Sequence, residues 1–112
     1  LISIPNLQNI KYINAITNGN FFYEKTGLFD ETHIRFFTMD TIINYLKNLG
    51  FKIVSTDWRE DQTLNNVKKI LLKELLNKEH VYLKLENMNL KIFKKNIDNY
   101  FSQQILLCIS NA

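Results

Sequence analysis

Gly27-Leu28-Phe29-Asp30-Glu31-Thr32-His33-Ile34-Arg35-Phe36-Phe37-Thr38 is the stretch around which this 112-residue chain is read. It gathers one of the three glycines, one of the two histidines, two acids, an arginine and three phenylalanines. Asp30, His33 and Arg35 are interleaved with Phe29, Ile34 and Phe36, so the apolar members can anchor the segment while the polar ones are turned outward. The pattern suits a rigid lid better than a linker.

The sequence on either side supplies what such a lid would cover. Downstream, Thr38 can cap a helix by accepting a first-turn N–H, and Asp40 suits the positive end of its dipole. Ile42, Ile43, Leu46 and Leu49 form the buried stripe of that helix, and Gly50 stops it. Phe51 to Ser55 then alternates as a strand that runs on to Asp57. Upstream, Leu1-Ile2-Ser3-Ile4 is a β-prone run closed by Pro5, which has no N–H to donate to a ladder. Asn6 is the candidate cap of a helix carrying Leu7, Ile10, Ile13 and Ile16. A strand feeding a helix is the unit of an α/β sheet, and ligands of such sheets lie beyond the carboxyl ends of strands, where Ser3, Pro5 and Asn6 fall.

Beyond Asp57 the pattern is helical from Asp61 to about Lys78, with Leu64, Val67, Ile70, Leu71 and Leu75 at spacings of three and four. Leu83 and Leu85 permit a short strand, whereas Leu90, Phe93 and Ile97 favour a helix over about 89–99. The apolar run Ile105 to Ile109 predicts a closing strand buried on both faces, with Cys108 an inert thiol inside it.

Composition narrows the classes. With 46% hydrophobic and 22% charged residues, one core and one domain are expected, and disorder is disfavoured. A lone cysteine rules out an internal disulfide and fits a reducing cytoplasm. No run approaches the roughly 18 apolar residues of a membrane span. A net charge of +3 is mild, and without Lys and Arg gathered on one face nucleic acid is not an expected partner. Gly19, Gly27 and Gly50 are too scattered for a dinucleotide cradle. Neither zinc-ligand spacing nor a nucleophile elbow is present, so no metal site is expected.

Ser3-Ile4-Pro5-Asn6, the 27–38 run and Leu49-Gly50-Phe51-Lys52-Ile53 together resemble the C-terminal half of class I S-adenosylmethionine-dependent methyltransferases. The nearer likeness is to a bacterial group with a strand ending SIPN, a G-L-x-D-x-T-H-x-R-F-F-T loop, a helix and a G-F strand. It covers residues 1 to 57; the remainder agrees only in the order of elements. The resemblance implies an α/β fold, half of a Rossmann-like sheet with strands 1–4, 104–110 (antiparallel) and 51–57 in that order, flanked by helices. The chain, opening inside a strand at Leu1, then reads as a single truncated domain, 1–112, without the N-terminal half that binds the cofactor.

S-adenosylmethionine is the cofactor so implied, with its main site outside these residues and the fragment inactive alone. The implied acceptor is a small molecule or saccharide. Ser3, Pro5 and Asn6 would edge its pocket, Asp30, Arg35 and Phe37 would contact it from the lid, and His33 would be the catalytic base. An imidazole with an unperturbed pKa near 6.5 suits that role. The residues also allow a structural clasp in which His33 and Asp30 bond the loop's own backbone and Arg35 pairs with Asp30 or Glu31. For the whole chain the rival reading is a small basic α/β interaction module, presenting Phe21-Phe22-Tyr23 and the lysine-bearing helix of 61–78. A strand cut from its neighbour would leave a free edge and favour a homo-oligomer.

Overall fold

A computed structural model describes residues 1–20, 25 and 36–111. The main sheet is built on the last strand, β5 (Ser102–Asn111), which lies between β1 (Ile2–Pro5) and β2 (Phe51–Glu60) and is antiparallel to both. β1 and β2 therefore point the same way. The order of the three strands is the expected one, although β2 and β5 both run longer than the pattern indicated. Ile4 faces Ile105, Pro5 faces Gln104 and Asp57 faces Leu106. Register shifts between Ile53 and Ser55 and between Arg59 and Glu60 bend β2 along the longer β5.

The other two strands lie elsewhere. β3 (His80–Lys84) and β4 (Asn89–Phe93) form a separate antiparallel hairpin, so β1 to β4 do not share one sheet. This corrects the helix expected over about 89–99. Leu90 and Ile92 alternate inward opposite Leu83 and Val81, and the pairing with β3 overrides the helical spacing of Leu90, Phe93 and Ile97. Helix appears only afterwards, as α4 (Ile97–Phe101).

The described residues form three further helices: α1 (Ile10–Thr17), α2 (Met39–Asn48) and α3 (Asn65–Glu74). Thr38 caps α2 as expected, accepting from Thr41 N while the Thr41 hydroxyl accepts from Thr38 N, and Gly50 closes it at φ 92°. Its stripe is narrower than the sequence suggested, since Met39, Ile42 and Leu46 are buried but Leu49 is not. α3 is shorter than expected because the turns Gln62–Leu64 and Leu75–Asn77 on either side are 3₁₀. Lys68 reaches Asp98 at 2.8 Å and Glu60 at 3.2 Å, fastening α3 to the start of α4 and the end of β2.

Two cores result. Under the main sheet, Met39, Ile42 and Leu46 of α2 pack on Ile105 and Leu107 of β5. Beside it, Leu71 and Leu75 pack on Val81 and Ile92 of the hairpin and on Ile97 and Phe101. β5 is not sealed on both faces: Leu106, Cys108 and Ile109 are only half-buried. α2 covers one side of the strand, which explains why an unbroken apolar run overstated its burial.

Candidate functional site

The carboxyl ends of β1 and β2 meet at the amino end of β5, where Pro5 opposes Gln104 and Glu60 opposes Ser102. Apolar strands give way here to buried polar residues. Asn6, Asn9 and Ser102 are fully buried and Asp61 almost so. A buried amide is tolerated when its donors and acceptor are matched, and Asn6 meets that condition. Its Nδ2 donates to the carbonyls of Asn99 at 2.8 Å and Ser102 at 2.9 Å, and its Oδ1 accepts from Gln8 N at 3.2 Å.

Asn6 is therefore not the helix cap. That part is played by Asn9, whose Oδ1 accepts from Lys11 N at 2.9 Å, because the backbone stays extended through Asn6. Asn6 N donates to Gln103 O at 3.0 Å, prolonging the contact with β5 by one residue. From the other side of the amide, Asn9 Nδ2 donates to Asp61 Oδ2 and to Ser102 O, each at 3.1 Å. Asp61 follows β2 and is the hub. It accepts from Thr63 Oγ1 at 2.6 Å and from Thr63 N at 3.1 Å, and it pairs with Lys11 Nζ at 3.1 Å. Burial alone would push this carboxyl up. The hydrogen bonds from Thr63, Lys11 and Asn9, with the charge of Lys11, outweigh it and hold Asp61 below the ordinary carboxylate range.

A smaller polar group lies on the sheet itself. Ser3 Oγ donates to Gln104 Oε1 at 2.8 Å, and Arg59 Nη1 donates to the same oxygen at 3.0 Å. Ser3 and Arg59 are exposed and Gln104 half-buried, so this triad is open to solvent.

Phe37, near the end of the 27–38 run, lies at this place. It pairs in parallel with Asn6 as a single bridge, and its carbonyl accepts from Leu7 N at 3.0 Å. Its ring lies 5.6 Å from that of Tyr45 and packs on the α2 core, while Phe36 meets Tyr12 edge-on at 6.0 Å. Phe37 is thus fastened at the carboxyl end of β1, beside Pro5 and Asn6. Asp30, His33 and Arg35 lie outside the described residues.

Ser3, Pro5, Asn6 and Phe37 are therefore brought together, and three of them have definite structural employment: Ser3 with Gln104, Asn6 as a sheet-end clasp, Phe37 as an anchor. Sequence reading missed Asn9, Asp61, Gln104 and Arg59. The signals present were slight: Asp61-Gln62-Thr63 is a side-chain turn motif, and Asn9 stands immediately before the helical run.

For a nucleotide-type cofactor, backbone must come close to the ligand at glycine. Gly19 (φ 70°) and Gly50 (φ 92°) both end helices in open space, with nothing within 4 Å of a built Cβ. Neither forms part of a cradle, so the described residues do not fit S-adenosylmethionine. Among them no three His, Cys, Asp or Glu side chains converge as a metal-binding group. No helix formed by described residues is long and apolar enough to cross a membrane. No protein-family model matches the chain, and no curated protein matches it.

Proposed function

We propose that the chain is the acceptor-side, C-terminal part of an S-adenosylmethionine-dependent methyltransferase acting on a small-molecule or saccharide acceptor. The observation that carries this reading is the Asn6–Phe37 bridge at the carboxyl end of β1. Phe37 closely follows His33 and Arg35 in sequence, and the bridge holds it where a sheet with two parallel strands offers its ligand edge. The antiparallel β5 between those strands supports the same reading. In it Pro5 and Phe37 form the apolar border of the acceptor pocket, Asp30 and Arg35 contact the acceptor, and the imidazole of His33 takes the proton of its nucleophile. The cofactor is gripped by residues other than those described. Holding an acceptor in line is the chemistry such a segment contributes.

The test uses the product of the complete reading frame with methyl-labelled S-adenosylmethionine and a panel of saccharide and small-molecule acceptors. Label transfer is expected, with a pH–rate profile whose acid limb disappears in His33→Ala. No transfer to any acceptor, or a His33→Ala enzyme with the parent's rate across pH, contradicts the corresponding part of the reading. The same reading expects the outer edge of β1 to pair with further strand. The 112-residue chain by itself should then run as a dimer or larger species in size-exclusion chromatography with light scattering, and a monomer at high concentration would contradict that.

A further inference from the structure

The β3–β4 hairpin carries a surface unlike the strand-end clasp. Alternation sends Val81, Leu83, Leu90 and Ile92 into the core and turns His80, Tyr82, Lys84, Asn89, Lys91 and Phe93 to the opposite face. The rings on that face form a continuous strip. His80 lies 5.6 Å from Tyr82 and 5.9 Å from Phe93, and Lys91 Nζ sits 5.1 Å above the Phe93 ring. Tyr82 is 60% exposed and Phe93 39%. At one end the strip opens into a groove of about 720 Å³ bordered by Leu76, Lys78, Glu79, Phe93, Lys94 and Lys95.

Charge is concentrated in the same place. Residues 78–95 contain five of the fourteen basic residues and two of the eleven acids, which leaves nine against nine elsewhere, so the net +3 of the chain resides here. One of the two acids, Glu86, is held at the hairpin turn by the Asn14 and Asn18 amides. None of the five lysines pairs with a carboxylate among the described residues. The sequence reading set nucleic acid aside for want of clustered charge; folding creates the cluster by laying 78–84 alongside 91–95.

We infer that this face binds single-stranded nucleic acid, with bases stacked on Tyr82 and Phe93 and phosphates met by Lys84, Lys91 and Lys94. Exposed rings alternating with unneutralised lysines are what an unpaired strand requires, because every base offers a π-face and every link a negative charge. A lipid surface suits the face less well, since His80, Asn89 and Glu79 interrupt the apolar area that would insert. This inference stands independently of the methyl-transfer reading.

The experiment is fluorescence anisotropy of a labelled oligothymidylate of about ten nucleotides, titrated with the whole chain at several salt concentrations. Saturable binding is expected, with log K falling against log salt at a slope of about −2, the value for three phosphate contacts on a single strand. Tyr82→Ala should weaken binding about five- to hundredfold with the thermal midpoint within about 4 °C of the parent's, and Lys91→Ala should lower the salt slope by about 0.7. Absence of binding at low salt overturns the inference. So does a Tyr82→Ala variant that binds as tightly as the parent, or equal affinity for a duplex of the same length, for heparin or for anionic vesicles, each of which would mark general polyanion attraction.

Discussion

The strand-end clasp and the outer face of the hairpin each gather polar and charged groups, and they treat them in opposite ways. Around Asp61 a buried carboxylate and two buried asparagine amides are matched by one another, by the exposed Thr63 and by the half-buried Lys11. The Ser102 hydroxyl is the one buried side-chain group among the described residues left without a partner. On the hairpin the lysines are exposed and none meets a carboxylate among the described residues, and Tyr82 between them is largely exposed. A buried network whose amides and carboxylate are matched specifies architecture, whereas an exposed set without partners leaves its interaction capacity for something else. The contrast assigns the clasp to holding two parallel strand ends together, and it leaves the hairpin face as the one the nucleic-acid inference concerns.

Substitutions should sort along that division. The largest loss is expected beneath the clasp, where Ile105 is fully buried between β1 and β2. Ile105→Ala should cost about 2–5 kcal/mol, read as a lowered urea midpoint with little change in slope. In the clasp, Asn6→Ala removes both donors from the Asn99 and Ser102 carbonyls and should cost about 1–3 kcal/mol; Asn6→Asp, which keeps the shape but loses the donors, should rescue little. A variant as stable as the parent would mean that the clasp is dispensable.

Acid should act on the clasp next. Asp61 has a folded pKa below its ordinary value of 3.8, so its contribution is complete above the unfolded value and is lost as pH falls through the folded one. Stability should drop below about pH 4, and Asp61→Asn should be less stable at neutral pH yet show a shallower acid limb. An unchanged limb would remove Asp61 from the account. Smallest of all, Tyr82→Ala on the hairpin should shift stability by no more than about 0.5 kcal/mol, which is what separates a face kept for binding from one kept for folding.

Elements whose signals are local were legible in the sequence. Thr38 and Gly50 bound α2 through their own cap chemistry, and Pro5 marks the end of β1 through its missing donor. The order of the main sheet followed from a resemblance that reached only residue 57. What could not be read depends on distant partners. β4 is a strand because β3 lies beside it, and over five residues the alternation of Leu90 and Ile92 cannot outweigh a plausible helical spacing. Asn6 and Asn9 are equally good caps on paper; only the sheet contact of Asn6 with Gln103 decides between them. The lysine cluster is invisible to a count of charge, because it is assembled by a turn. Of the site, the ligand edge of an α/β sheet pointed to Ser3, Pro5 and Asn6, Phe37 was expected beside them only through the resemblance, and Asp61 looked like no more than the opening of a helix.

Isothermal titration with S-adenosylmethionine asks directly whether this chain is the acceptor side of a cofactor enzyme. The 112-residue chain should give no saturable heat, whereas the product of the complete reading frame should bind one equivalent. Binding by the chain alone, or none by the complete product, would contradict it.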